Sequence, residues 1–78
     1  MITKKQLKEI LARCDATTPG PWVSYVEGRD HESGSDFIKT GLNDIELLGA
    51  SKADQDFIAS SKQDIPLLVN ELLRLTDA

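Results

Sequence analysis

The amino-acid sequence predicts one small α+β domain over residues 1–78, with an N-terminal helix, a three-stranded antiparallel meander and a C-terminal helical hairpin. Three observations lead to this prediction. An amphipathic pattern with clear start signals opens the chain, and β-branched and aromatic residues recur between turn signals in its middle. The largest apolar side chains then gather in the segment 53–75. Because a chain of 78 residues buries only a modest core, that last segment is expected to supply most of it.

The first predicted helix runs from Thr3 to Cys14. Thr3 and Gln6 have the spacing of a capping box, and Ile2 and Leu7 occupy the positions of a hydrophobic staple. The apolar residues then recur at the spacing of an amphipathic helix: Leu7, Ile10, Leu11 and Cys14. We interpret Cys14, at the end of this stripe, as a small buried core residue.

A stiff connector and three short strands follow. The run Thr17–Pro21 places two prolines around a glycine, which ends the helix and favours extended backbone. Residue composition then predicts strands at 22–26, 37–40 and 45–48. The polar segment Gly28–Ser35 joins the first two strands as the loop of a long hairpin. One face of this meander is expected to pack on the helices.

The segment from Ala53 to Leu75 predicts two helices with a break between them. Ser51 and Asp54 mark the first start. Asp64 as N-cap, with Pro66 in the first turn, marks the second, because a proline inside a helix removes a hydrogen bond and clashes with the preceding turn. The apolar stripe of this second helix comprises Ile65, Leu68, Leu72 and Leu75, with Val69 beside it. We expect Leu68 and Leu72 to be fully buried.

Composition and charge narrow the classes of function. A single cysteine allows no internal disulfide and no cysteine-based zinc site, and no apolar run has the length of a signal-peptide core or a membrane span. We therefore expect a cytoplasmic protein without membrane association. The net charge of −4 argues against nucleic acid as a partner. Residues 1–14 carry four cations against Glu9 alone, which we interpret as a solvated helix face rather than a binding patch.

Candidate binding chemistry concentrates in the polar loop. Residues 30–32 are potential metal ligands, but consecutive side chains project in different directions, so we predict no metal site. Arg29 and His31, with Trp22 and Tyr25 as neighbouring aromatics, are the candidate residues for a small ligand or nucleotide. No catalytic motif and no nucleophile–base pair is recognisable. The sequence favours a binding or regulatory module without a cofactor over an enzyme.

The last predicted helix carries more apolar positions than one stripe requires. Leu67 and Leu73 flank the stripe and have no evident partner within the chain. Because exposed apolar surface of this kind marks interfaces, we predict a homodimer, or the docking of another protein, on the outer face of residues 67–75. The alternative is that the first helix covers this face, which leaves a monomer.

Two sequence signatures resemble those of a phage protein family. The first is Ala16–Trp22, ATTPGPW, which follows an amphipathic helix and differs from ATPGPW by one additional threonine. The second combines Ala53–Ala59, ADQDFIA, with Asp64–Leu68, DIPLL, ahead of a leucine-rich helix. The Ead-like proteins of lambdoid phages share this layout of ATPGPW, ADxxFIA and DIPxLL. The resemblance implies a phage or prophage origin and a small non-enzymatic regulator, and it carries over no catalytic residue.

The sequence therefore leaves two hypotheses of function open. The first is a small non-enzymatic interaction or regulatory module of phage or prophage type, which binds another protein or itself. The alternative is a small-ligand or nucleotide-binding protein that uses the polar loop 28–35 and the neighbouring aromatics.

Overall fold

The architecture is α+β, with an N-terminal helix, a three-stranded antiparallel sheet and a C-terminal helix, in a computed structural model that describes residues 1–77. The elements are α1 (Lys4–Asp15), β1 (Val23–Tyr25), β2 (Phe37–Lys39), β3 (Asp44–Ile45) and α2 (Lys52–Asp77). The strands lie in sequence order, β1-β2-β3, and Ile38 pairs with Ser24 on one side and with Ile45 on the other. The class and the three-stranded meander are as predicted, but the third strand lies at Asp44–Ile45 and not at residues 45–48, and one continuous helix stands in place of the C-terminal hairpin.

Helix α1 begins with the predicted capping box. The Gln6 N–H donates to Thr3 Oγ1 at 3.1 Å, and the Thr3 N–H donates to Gln6 Oε1 at 2.7 Å, so two otherwise unpaired donors are satisfied. The other end is held by α2, because Lys62 Nζ donates to the Cys14 carbonyl at 2.9 Å. An ion pair between Lys4 and Asp77 shows that the two helices run antiparallel. Cys14, expected to be buried, is half-buried.

The connector between α1 and β1 contacts the turn after β2. The Gly41 N–H donates to the Pro19 carbonyl oxygen at 2.7 Å. A Cβ atom at position 41 would lie 2.7 Å from the same oxygen, so the approach requires a glycine. The Gly20–Pro21 peptide bond is cis. The hydrogen bond from Gly41 to Pro19 fixes the connector across the end of the sheet, just before Trp22 enters β1.

Helix α2 begins as predicted and then passes through the predicted break. The Ser51 N–H donates to Asp54 Oδ2, and the Asp54 N–H donates to Ser51 Oγ. Pro66 lies inside the helix, so the predicted second start at Asp64 is wrong. Proline removes one donor, the N–H that would bind the Lys62 carbonyl. A continuous helix keeps Ala59, before the proline, and Val69, after it, on one buried side, and we infer that this packing outweighs the missing bond.

The core lies between this side of α2, α1 and the sheet, and it is small. Its buried apolar members are Leu7, Val26, Ile38, Ala59 and Val69. Leu68 is 64% exposed and Leu72 is 43% exposed, so the expectation that both are fully buried is wrong. The inward face of α2 carries small and polar side chains instead, and these turn the predicted stripe toward solvent. Neither helix within residues 1–77 combines the length and apolarity that a bilayer crossing requires.

Candidate functional site

An exposed apolar stripe runs along the outer face of α2. At 100° per residue, its six side chains fall within about 100° of the helix circumference. We call this set the α2 stripe, and its exposed fractions are Phe57 73%, Ile58 37%, Ile65 38%, Leu68 64%, Leu72 43% and Leu75 56%. Leu48 is fully exposed and lies beside Phe57 and Ile58, so it extends the apolar surface beyond the N-terminal half of the helix.

Two glutamines on the opposite face of α2 hold the stripe outward. Gln63 Oε1 accepts from the Trp22 N–H at 2.8 Å, and its Nε2 donates to the Trp22 carbonyl at 3.1 Å. Gln55 is 4% exposed, and its Nε2 lies 2.9–3.2 Å from three acceptors: Ser24 Oγ, the Tyr25 carbonyl and the Phe37 carbonyl. These directional bonds fix the rotation of α2 relative to β1 and β2. Turning the stripe inward would leave these buried or half-buried polar groups unpaired.

A groove lies beside the N-terminal half of the stripe, between α1 and α2, and has a volume of about 460 Å³. Ile10 and Cys14 of α1 form one wall, and Ile58 and Ile65 of α2 form the other. Ser61 lies between these two isoleucines. Its hydroxyl donates to the Phe57 carbonyl at 2.7 Å, so only a small side chain points into the groove at that level. The groove is therefore an apolar depression continuous with the α2 stripe.

The two residues predicted as interface positions lie outside this stripe. Leu67 is 68% exposed, but it sits about 80° around the helix from the nearest stripe residue. Leu73 is half-buried on the side that faces the body of the fold. Their proposed role in an interface stays a prediction, and the larger exposed apolar surface belongs to Leu68 and its neighbours.

Arg29, one of the four candidate ligand-binding residues, is engaged within the fold. Its guanidinium donates to both carboxylate oxygens of Asp56, at 2.8 and 2.9 Å, and its Nε donates to Asp30 Oδ2 at 3.0 Å. Hydrogen bonds from Arg29 and from Ser24 lower the pKa of Asp56 to about 2. The pKa of Asp30 is lowered by Arg29 and by the Val26 N–H, and the pKa of Arg29 is raised by both carboxylates. An anionic ligand at Arg29 would have to compete with two carboxylates that already neutralise its charge.

His31 belongs to a separate aromatic cluster. Its ring centroid lies 6.1 Å from that of Tyr25 and 5.0 Å from that of Phe37. Nδ1 accepts from the Ser33 N–H at 3.0 Å, and Nε2 is buried with no hydrogen-bond partner among the described residues. Trp22 lines the groove instead, with its indole N–H donating to the Thr18 carbonyl at 3.0 Å. The structure brings Tyr25 and His31 together and does not gather all four predicted residues around one cavity.

No metal centre is evident in the part of the chain that the structure describes, where no three His, Cys, Asp or Glu side chains gather as ligands. The polar side chains of α2 that bind other elements of the fold are Gln55, Asp56, Lys62 and Gln63. Their spacing, with Ala59 between them, repeats at the helical period. That spacing could have indicated a polar contact face on α2. The groups that these side chains bind are mostly backbone atoms, and no residue type in the sequence marks their position.

Comparisons with protein-family models, with curated proteins and with solved structures give no match to this chain. The candidate site is therefore argued from its own geometry, which is the α2 stripe together with the adjoining groove.

Proposed function

We propose that this chain is a small non-enzymatic module that acts in the cytoplasm by binding protein through the α2 stripe. The observation that carries the proposal is the set of six large apolar side chains exposed on one face of a regular helix. Their exposed fractions add up to about three fully exposed side chains, or roughly 500 Å² at about 150–200 Å² each. That is about a tenth of the total surface of 5614 Å² and lies at the upper end of the patches found on monomers.

The surface is available to a partner without rearrangement of the fold. Gln55 and Gln63 bind the backbone of the connector, β1 and β2, so the orientation of α2 is set before any partner arrives. A preformed surface loses little conformational entropy on binding. Its apolar centre is bordered by polar and charged residues, among them Asp54, Asp64 and Glu71, as in protein interfaces with a hydrophobic core and a polar rim.

The resemblance to the Ead-like phage proteins supports a regulatory or accessory role of phage or prophage type. Its second signature contains residues of the proposed surface: Phe57 and Ile58 lie in ADQDFIA, and Ile65 and Leu68 lie in DIPLL. The alternative, a small-ligand or nucleotide binder, has less support because Arg29 is already paired with two carboxylates.

Site-specific photo-crosslinking in cells tests this proposal. With p-benzoylphenylalanine in place of Phe57, we expect a discrete protein adduct that disappears when Leu68→Lys is added to the same chain. The matched control carries the same label in place of Leu67, which is about as exposed as Leu68 but lies off the stripe. Adducts at position 67 equal to those at position 57, or none at position 57, would overturn the proposal.

A further inference from the structure

We infer that the α2 stripe binds a second copy of this chain, in a parallel pairing of two α2 helices about a twofold axis. This inference rests on the proposed function and names the partner. It draws on four features of the described residues: the area of the stripe, the order of residues along it, the position of the groove, and the charges on either side.

The available area fits a dimer of standard size. The α2 stripe offers roughly 500 Å² of apolar surface, and Leu48 and the groove walls extend it. Specific interfaces bury about 800 Å² per partner, with a polar rim around the apolar centre. Helix α2 has 26 residues and is therefore about 39 Å long, most of the 48 Å length of the molecule. Two such helices side by side cover the stripe over its whole length.

The order of residues along the stripe is that of a two-stranded helix pair. From Ile58 onward, the positions 58, 61, 65, 68, 72 and 75 alternate in steps of three and four, which is the a and d pattern of heptads. Positions a hold Ile58, Ile65 and Leu72, and positions d hold Ser61, Leu68 and Leu75. In parallel coiled coils, isoleucine at a with leucine at d favours two strands over three or four. Ser61 is the one small residue in this seam, and it lies where the groove opens.

The groove distinguishes the parallel from the antiparallel arrangement. Phe57 occupies heptad position g, and Lys62 occupies position e. In a parallel pair, position g of one helix lies next to position e of the other. Phe57 therefore faces Lys62 of the second copy, which lines the groove of that copy. A groove of about 460 Å³ admits a Phe side chain, so the exposed ring of each copy fills the depression of the other.

An antiparallel pair cannot both cover the whole α2 stripe and place Phe57 in the groove. If its a and d positions meet over the whole stripe, Ile58 faces Leu75 and Ser61 faces Leu72, and Phe57 lies beyond the far end of the second stripe, away from its groove. If it is shifted so that Phe57 reaches the groove, Leu72 and Leu75 are left uncovered. The parallel pair covers the stripe and at the same time brings each Phe57 to the groove of the other copy, in a closed twofold dimer.

The charges at the borders of the stripe agree with the parallel arrangement. Asp64 and Glu71, at heptad positions g, form an acidic border on one side. On the other side lies α1, whose Arg13 lines the groove. A parallel pair sets the g border of each copy against the α1 border of the other, so Asp64 approaches Arg13. Glu71 is already paired with Arg74 on the same helix, so Asp64 carries this preference, and an antiparallel pair sets it on the same border as the Glu71 carboxylate of the other copy, which is less favourable.

Sedimentation equilibrium of the full chain tests whether the partner is a second copy. At tens of micromolar we expect twice the chain mass of 8.6 kDa. Leu68→Lys should weaken self-association roughly 30-fold or more, as expected for a residue at the centre of an interface. Leu67→Lys is the matched control, because Leu67 and Leu68 are adjacent leucines of nearly equal exposure, 68% and 64%, and it should leave the dimer intact. A monomeric wild-type chain, or a dimer lost with Leu67→Lys and kept with Leu68→Lys, would overturn the inference.

Cysteine cross-linking tests the direction of pairing. In a Cys14→Ser background, Leu75→Cys places equivalent thiols next to each other across a parallel seam, and mild oxidation should give a covalent dimer. The control, Leu67→Cys in the same background, should remain largely monomeric after oxidation. A reversible dimer in which Leu75→Cys does not cross-link would overturn the parallel arrangement. A monomeric chain that still forms photo-adducts with a different protein from position 57 would overturn the second copy and leave the proposed function standing.

Discussion

The side-chain amide of Gln63 pairs with both backbone groups of Trp22, accepting from its N–H at 2.8 Å and donating to its carbonyl at 3.1 Å. Trp22 directly precedes β1, the first strand of the sheet. The glutamine therefore takes the place that a neighbouring strand would occupy beside this stretch of backbone. These bonds fix α2 against the backbone that leads into the sheet.

Replacing Gln63 should destabilise the fold. Gln63→Ala leaves the half-buried N–H and carbonyl of Trp22 without their partner, and we expect a loss of about 1–3 kcal/mol in the free energy of unfolding. The control is Asn70→Ala, an exposed position on the same helix, which should change stability by no more than about 0.5 kcal/mol. Urea denaturation followed by circular dichroism measures both. Equal small effects would mean that this bond does not hold α2 against the strand.

The capping box at Thr3 should contribute measurably to α1. Thr3→Ala removes the acceptor of the Gln6 N–H, and we expect a loss of about 0.5–2 kcal/mol in the free energy of unfolding. Thr3→Ser keeps a hydroxyl at the same position and should be close to wild type. Thermal or chemical unfolding of wild type, Thr3→Ala and Thr3→Ser measures these differences in stability. A Thr3→Ser variant as unstable as Thr3→Ala would contradict a capping role.

The Arg29–Asp56 ion pair should make stability fall in acid. Arg29 and Ser24 lower the pKa of the Asp56 carboxyl from 3.8 to about 2. The charged carboxylate therefore stabilises the fold fully at pH values above 3.8, the pKa in the unfolded chain. This stabilisation is lost as the pH falls through about 2, the pKa in the folded protein. The wild-type protein should therefore exceed Asp56→Asn in stability at pH 7, and the difference should shrink between pH 4 and pH 2.

Denaturant melts across that pH range measure the difference. The matched control is Asp44→Asn, an exposed aspartate in β3, whose difference from wild type should change less over the same interval. A difference between wild type and Asp56→Asn that is constant from pH 7 to pH 2 would show that the ion pair does not contribute through the charge of Asp56.

Local signals in the sequence predicted the start of each helix and the order of the elements, because the residues that carry these features act on their own neighbours. Thr3 with Gln6, and Ser51 with Asp54, bind each other across three positions, so the pattern and the contact coincide. The strands at β1 and β2 follow from β-branched and aromatic residues, and the structure places them within the predicted ranges.

The inward side of α2 could not be predicted in the same way. Apolar periodicity identified a stripe at Ile65, Leu68 and Leu72 and assigned it to the core, because apolar faces are usually buried. Which face of a helix is buried depends on what the rest of the chain offers, and here it offers backbone groups of Trp22, Tyr25 and Phe37. Those groups require donors and acceptors, so Gln55 and Gln63 are turned inward and the apolar stripe is left outside.

Pro66 provides a direct test of one continuous helix against two. Inside a helix, proline leaves the Lys62 carbonyl without its usual donor and strains the preceding turn, at a cost of about 3 kcal/mol. Pro66→Ala restores the N–H, while the flexibility that alanine adds to the unfolded chain offsets roughly 0.4–1 kcal/mol of the gain. We expect a net increase of about 2–3 kcal/mol in the free energy of unfolding, together with a small gain in helical circular dichroism.

A helical hairpin predicts the opposite sign for this substitution. With Asp64 as N-cap and Pro66 in the first turn, the missing N–H would be one that the helix start leaves unpaired in any case, so alanine would be neutral or destabilising. Asp64→Ala separates the two arrangements further, because it should cost about 1 kcal/mol at a helix start and little in a helix interior. A Pro66→Ala variant less stable than wild type, accompanied by a destabilised Asp64→Ala, would restore the break and refute the continuous α2.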